Sequence, residues 1–222
     1  MKECLLLLFL APLLITTPAH GQYLFLDVDG DGLSGMNAAD PGTGPDCLGP
    51  TITKVDVYFD TNHSPDGSAA TCAQDAGSPL SMNSYEILVR EVEGPLGGSV
   101  TFNGWTDNVG FTTGMISAGD TKFYTSGTEA WIGLGSSSYL PPGRYKVGTL
   151  NVTVSGTPVI YFLPRGASGI SADAKTAFGT QCEGSDLDNT YELGLDFLFA
   201  FATCEPTAVQ ATTWGKIKKQ YH

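Results

Sequence analysis

Short stretches in which apolar and polar residues alternate recur along the middle of the chain. Lys54–Asp60 (KVDVYFD) is the clearest, because Val55, Val57 and Phe59 would face one side of a strand. A period of two is typical of a half-buried β-strand. Glycine, proline, serine and aspartate cluster between such stretches, about every dozen residues, so the pattern predicts an all-β antiparallel sandwich. Further strands are predicted at 85–92, 99–105, 129–134, 144–154, 159–163 and 192–201.

The N-terminal segment has the pattern of a secretory signal peptide. Lys2 precedes an apolar run at 5–15, and the small residues Ala19 and Gly21 follow it. The run of about 11 residues is too short for a membrane span, which needs roughly 20. We therefore expect residues 1–21 to be removed and the protein to be secreted, as an extracellular or cell-surface protein without a membrane span.

Composition narrows the class of partner. The chain has 222 residues, of which 41% are hydrophobic, enough to bury a core, and its net charge is −12. An acidic protein lacks the basic surface that nucleic-acid phosphates require, so nucleic acid is excluded as a partner. No internal repeat or boundary divides residues 22–205, and we expect them to form one domain.

The cysteines predict disulfides. Without the signal peptide four remain, namely Cys47, Cys72, Cys182 and Cys204. An even number in an exported chain indicates two disulfides, for which three pairings are possible. We favour Cys47–Cys72 with Cys182–Cys204, since each bond closes a local segment. A zinc site of four cysteines is disfavoured because no Cys-x-x-Cys pair is present.

An acidic loop at 27–40 is the sharpest local motif. Asp27, Asp29 and Asp31 occupy its first, third and fifth positions, and a glycine suited to a sharp turn follows. Alternating carboxylates supply the hard oxygen ligands that Ca²⁺ prefers. The twelfth position lacks the acid of an EF-hand, and Asp40, two residues further on, is the candidate replacement. We predict a structural calcium site, with an Asp/Gly-rich turn that binds no metal as the alternative.

A second acidic loop follows the strand at Lys54–Asp60. Asp60, Asn62 and Asp66 can form another cation site or contribute to the first one. A polar turn held by side-chain bonds to its own backbone is the simpler interpretation.

The chain offers few residues for catalysis. One histidine lies in the predicted signal peptide and one is the last residue, which leaves His63 as a candidate base. Neither Gly-x-Ser-x-Gly nor His-Glu-x-x-His occurs. Nothing marks any two of Glu86, Glu91 and Glu129 as a facing pair of the kind that hydrolyses glycosides. We therefore expect a protein that is not an enzyme.

Aromatic residues, 10% of the chain, suggest an alternative function. Rings exposed on a sandwich face can stack on sugars, which would make this a carbohydrate-binding protein. Trp105 and Trp131 are more simply interpreted as core residues.

The C-terminal tail at 206–222 differs from the domain before it. Lys216, Lys218 and Lys219 make it basic, and Trp214 and Ile217 would share one face of a short helix. The segment TTWGKIKKQY resembles short tails that end some exported bacterial proteins. This resemblance implies a sorting or docking tag, whereas a terminal helix that packs on the sandwich or frays is the simpler interpretation. A structural subunit of an extracellular assembly, with this segment as its tag, is the third candidate function.

Five segments follow one another in the order VDVYFDTN, NSYEILVRE, SVTFNGW, WIGLGSS and PPGRYKVGTLNVTVSG. Together they resemble the cohesin-like sandwiches, which are grouped with carbohydrate-binding modules of secreted bacterial proteins. The resemblance covers about residues 54–163. It implies a nine-stranded jelly roll that docks a protein partner or a polysaccharide and catalyses nothing. Cohesins bind dockerins, which carry calcium loops, whereas here the acidic loop precedes the sandwich in the same chain. The resemblance transfers no binding residue.

Together these observations predict a secreted, calcium-stabilised, disulfide-bonded sandwich. It would act as a non-catalytic binding or adhesion module for an extracellular protein or polysaccharide.

Overall fold

The regular structure of the described residues consists of β-strands. The computed structural model describes residues 22–33, 46–64, 67–72, 78–92, 97–116, 122–163, 174–182 and 191–192, and they contain no helix. The strands in these ranges are β1 (Tyr23–Asp27), β2 (Lys54–Asp60), β3 (Met82–Val92), β4 (Gly98–Asp107), β5 (Thr113–Gly114), β6 (Phe123–Ser126), β7 (Glu129–Leu140), β8 (Arg144–Gly156), β9 (Val159–Phe162), β10 (Ala177–Gly179) and β11 (Tyr191–Glu192). Within these ranges, the prediction of an all-β antiparallel fold is confirmed.

The strands form two sheets in which every pairing is antiparallel. The first sheet has the order β1-β2-β8-β4. The second has the order β11-β10-β3-β7-β5, and in addition β6 pairs with β7 and β9 with β3. Consecutive strands from β2 to β4, and again from β7 to β9, lie alternately in the two sheets, so the chain repeatedly crosses between them.

One hydrophobic core lies between the sheets. Val55, Val57 and Phe59 of β2 are buried in it, as their alternation predicts, and Ile87 and Val89 of β3 join them from the second sheet. Because residues from both sheets share this core, the two layers pack face to face.

A smaller apolar cluster covers the other side of the second sheet. Leu88 and Trp131 lie opposite each other on β3 and β7, and they pack with Ile116 and Ala174. The second sheet is therefore buried on both sides at this point, which explains why Trp131 is only 3% exposed.

The disulfide pairing differs from the one we favoured. Cys72 is bonded to Cys182, with a Cα–Cα distance of 5.3 Å, so neither Cys47–Cys72 nor Cys182–Cys204 forms. The fold brings these distant residues together because β10 pairs with β3, and Gln181 beyond β10 contacts Ser81 before β3 at 3.0 Å. Cys47 is exposed.

Several predicted segments lie outside the described residues, namely the signal peptide at 1–21, the tail at 206–222, Asp40, Cys204 and most of the predicted strand at 192–201. Within the part that is described, no helix has the length and apolar character needed to cross a membrane.

Candidate metal centre

The acidic loop begins at the end of β1 and winds around one carboxylate. Asp27, the last residue of β1, is 1% exposed. Its Oδ1 accepts the N–H of Gly30 at 2.6 Å, and its Oδ2 accepts the N–H of Gly32 at 2.9 Å. Both glycines have positive φ angles, 81° and 73°, which other residues adopt only with strain. The two glycines thus let the chain bend back over Asp27.

A second buried carboxylate comes from a different segment. Asp46 is 4% exposed, and its Oδ1 accepts the N–H groups of Val28 at 2.7 Å and Asp29 at 3.3 Å. Leu48, two residues later, is fully buried in the main core. This anchor places the segment that precedes β2 against the acidic loop. Asp46 belongs to no local motif and was therefore not among the predicted ligands.

Three carboxylates meet in this place. One oxygen from each of Asp27, Asp29 and Asp46 lies within 4.8 Å of the others, and two of the three side chains are buried. Burial raises the pKa of Asp46 to about 6, against the opposing effect of its backbone N–H donors, and repulsion from Asp27 and Asp29 adds to the rise. Burial likewise raises the pKa of Asp27. Without a counter-ion, the negative charge of these carboxylates therefore lowers the stability of the folded protein.

The structure brings together only part of the predicted ligand set. Asp31 is exposed, and its Oδ1 accepts the N–H of Leu33 at 2.7 Å. Asp29 Oδ1 accepts the N–H of Asp31 at 3.1 Å, so successive aspartates also shape the turn. Asp40 lies outside the described residues.

Basic side chains beside the loop are engaged in other contacts. The Arg144 guanidinium lies 4.6 Å from the centre of the Phe25 ring and donates to the backbone oxygen of Gly32. Lys146 Nζ lies 2.5 Å from Asp56 Oδ2. Arg144 thus fastens the loop to the outer side of the first sheet, and Lys146 balances the charge of Asp56.

The second acidic loop is organised around its own first residue. Asp60 Oδ1 accepts the N–H groups of Asn62 and His63, both at 3.0 Å, and lies 3.2 Å from Nδ1 of the His63 ring. Asp66 is not among the described residues. The carboxylate of Asp60 therefore closes a turn, as the simpler interpretation expected.

Glu86 and Glu129 do not lie opposite each other across β3 and β7. Glu86 lies opposite Gly133 of β7, whereas Glu129 of β7 lies opposite Arg90. Four residues of β7 separate these positions, about 13 Å at the usual rise of a strand. The register therefore does not mark them as the facing carboxyl pair that glycoside hydrolysis requires.

The two tryptophans described here do not offer open rings. Trp131 is buried, and Trp105 is partly buried against the main core and donates its indole N–H to the hydroxyl of Tyr85 at 3.0 Å. The predicted core position is confirmed for Trp131, whereas Trp105 lies at the edge of the core. Tyr124 and Tyr139 are 43% and 37% exposed.

Comparisons of the chain with models of known protein families, with curated proteins and with solved structures found no match.

Proposed function

We propose that this protein is a secreted, calcium-stabilised sandwich that acts as a non-catalytic binding module for an extracellular protein or polysaccharide. The observation that carries the proposal is the convergence of Asp27, Asp29 and Asp46. Two buried carboxylates beside a third destabilise a fold unless a cation or protons neutralise them. A bound cation turns that cost into stabilisation, because the unfolded chain lacks the assembled site.

Calcium is the cation that this ligand set favours. Ca²⁺ takes six to eight oxygen ligands at about 2.3–2.6 Å, so two of its ligands stand at most about 5.2 Å apart. The separations of up to 4.8 Å among the three carboxylate oxygens fit this limit. Water, backbone carbonyls or the predicted ligand Asp40 would complete the coordination.

A binding role is supported by the fold and by the resemblance to cohesin-like sandwiches. The repeated crossing of the chain between two antiparallel sheets is compatible with the jelly roll that the resemblance implies. In this proposal, calcium holds the loop after β1 and the segment before β2 together at one end of the first sheet. The rigid sheets then present the binding surface.

Calcium is expected to raise the melting temperature of the chelator-treated protein. Calcium at 100 times its Kd adds about 2.7 kcal/mol to the free energy of unfolding. For a protein of this size, that is a shift of roughly 5–10 °C. Asp46→Asn should abolish the shift, because the amide keeps an oxygen for Val28 but carries no charge. Differential scanning calorimetry and isothermal titration with calcium measure both effects.

Asp31→Asn is the matched control for this experiment. Asp31 belongs to the same loop but lies outside the group of converging carboxylates, so we expect most of the calcium shift to remain. A calcium shift that survives Asp46→Asn would contradict the site, and loss of the shift in Asp31→Asn would restore Asp31 as an essential ligand.

Protons should compete with calcium near pH 6. The pKa of Asp46 is raised to about 6 in the folded protein, so below this pH a proton occupies the carboxylate that calcium needs. We expect the apparent affinity for calcium to fall by about tenfold for each pH unit below 6. Isothermal titrations between pH 5 and pH 8 test this.

In the chelator-treated protein, the raised pKa of Asp46 should make the stability itself depend on pH. A raised carboxyl pKa means that the folded state binds more protons than the unfolded state between about pH 4 and 6. Protonation of Asp46 therefore contributes fully to the free energy of unfolding below pH 4, and this contribution is lost as the pH rises through 6. The stability of Asp46→Asn relative to the natural protein should increase over this interval, and a constant difference would contradict the assignment.

A further inference from the structure

The outer side of the first sheet carries a patch of uncharged polar side chains on two neighbouring strands. Val100 and Phe102 of β4, and Val152 and Val154 of β8, point into the core, so the residues between them point outward. The outward residues define what we call the hydroxyl face, namely Ser99, Thr101, Asn103, Asn151, Thr153 and Ser155. All are exposed except Asn151, which is partly exposed.

Cross-strand hydrogen bonds join four of these six side chains in two pairs. Ser99 Oγ lies 3.0 Å from Ser155 Oγ, and Asn103 Nδ2 donates to Thr153 Oγ1 at 2.9 Å. Thr101 lies directly opposite Thr153 in the strand register. A hydroxyl that is bonded to one neighbour keeps capacity for another bond, because it has one donor and two acceptor sites. The face therefore presents an array of donors and acceptors, in which two pairs of side chains are joined across the strands.

The chemistry of the hydroxyl face favours a neutral, hydroxyl-rich ligand. Its six residues carry no formal charge, although the net charge of the chain is −12. They include no aromatic ring and no arginine, the residues that dominate the energetics of protein interfaces, and serine is depleted in such interfaces. Lys54, whose register partner is Asn151, places one positive charge at one end of the face. An anionic polymer would meet little positive charge here.

The neighbouring edge of the sheet is poorly suited to adding a strand from another chain. β4 is the last strand of the first sheet, but its register with β8 shifts between Phe102 and Gly104. Such a bulge bends an edge and interrupts its hydrogen-bonding pattern, which disfavours pairing with a partner strand. The face of β4 and β8 is therefore a better candidate for binding than the edge of β4.

We propose that the hydroxyl face binds a neutral polysaccharide, a proposal that rests on the proposed function as a binding module. Neighbouring strands place their side chains about 4.8 Å apart, and alternate residues along a strand lie about 6.6 Å apart. A polysaccharide presents hydroxyl groups at regular intervals along an extended chain. It therefore forms many hydrogen bonds to this array without bringing a charge to it.

The test is depletion of the full-length protein, in calcium, by insoluble cellulose, chitin and β-1,3-glucan. Soluble polygalacturonate in affinity electrophoresis is the anionic comparison. We expect saturable binding to at least one neutral polymer. Thr101→Ala combined with Thr153→Ala should weaken that binding about tenfold, because two hydrogen-bonding hydroxyls are lost. Thr153→Ser keeps the hydroxyl and should retain binding.

Thr113→Ala combined with Thr125→Ala is the matched control, since these threonines are exposed on β5 and β6 of the second sheet. This variant should bind like the natural protein, and all variants should keep its melting temperature. Failure to bind every neutral polymer, an equal loss in the control, or preference for polygalacturonate would overturn the proposal. Calcium binding without polysaccharide binding would contradict only the proposed role of the hydroxyl face. Polysaccharide binding by a protein whose melting temperature does not respond to calcium would instead contradict the proposed calcium site.

Discussion

Replacing both Cys72 and Cys182 with alanine is expected to lower the free energy of unfolding by about 5 kcal/mol. The bond joins residues that are 110 positions apart, so it removes much of the conformational freedom of the unfolded chain. Both cysteines are almost completely buried and pack with Leu80, and the bond fastens the loop after β2 to the end of β10. Urea denaturation of the natural and double-variant proteins measures the difference.

The control for this prediction is denaturation under reducing conditions. Once the bond is reduced, the natural protein and the double variant should differ only by the small change in side-chain packing. A peptide map without reduction should contain a linked pair with Cys72 and Cys182. A difference below about 1 kcal/mol, the size of an ordinary substitution, would contradict the proposed role of the bond.

The disulfide shows why sequence separation was a poor guide. Short loops favoured local pairs, yet β10 pairs with β3, where Phe178 lies opposite Tyr85. This pairing across the fold depends on the order of strands in the second sheet, which the pattern of one strand does not reveal.

The half-buried strand β2 was predictable, whereas the fully buried strands β1 and β10 were not. β2 begins and ends where its alternation predicted. β1 reads YLFLD, an apolar run without alternation, because Leu24 and Leu26 face the core while Tyr23 and Phe25 are buried on the other side. β10 has three residues, all buried, which is too short for a periodic signal.

Of the candidate metal centre, only the ligands that lie close together in the sequence were predictable. Asp27 and Asp29 follow the spacing of a calcium loop, and the structure places both in the converging group. Asp46 lies 17 positions from Asp29. It reaches the site because Leu48 is anchored in the core, a tertiary effect that no local motif encodes. Asp31 fits the spacing equally well, but its carboxylate turns toward Leu33.

Gly148→Ala is expected to destabilise the fold by about 3 kcal/mol, because the added methyl group would occupy space that belongs to Trp105. A Cβ at position 148 would lie 2.0 Å from Cζ2 of the Trp105 ring. The ring has little freedom to move, since its N–H donates to the hydroxyl of Tyr85, which in turn donates to Asp107 at 2.7 Å. Burial and this bond to Asp107 raise the pKa of Tyr85, so the hydroxyl keeps its proton.

Gly104→Ala on the neighbouring strand is the matched control. A Cβ there would have Asn151 Nδ2 as its nearest contact at 3.9 Å, an ordinary distance, so its effect should stay within about 0.5 kcal/mol. If the clash with Trp105 causes the loss, Trp105→Leu should relieve it. The double variant Gly148→Ala/Trp105→Leu should then be about 1–2 kcal/mol more stable than the sum of the single effects predicts. If the losses of stability in the double variant are additive, the clash with Trp105 is not the cause of the Gly148→Ala effect. If Gly148→Ala and Gly104→Ala cost the same stability, the cause is the change in the backbone rather than the contact with the ring.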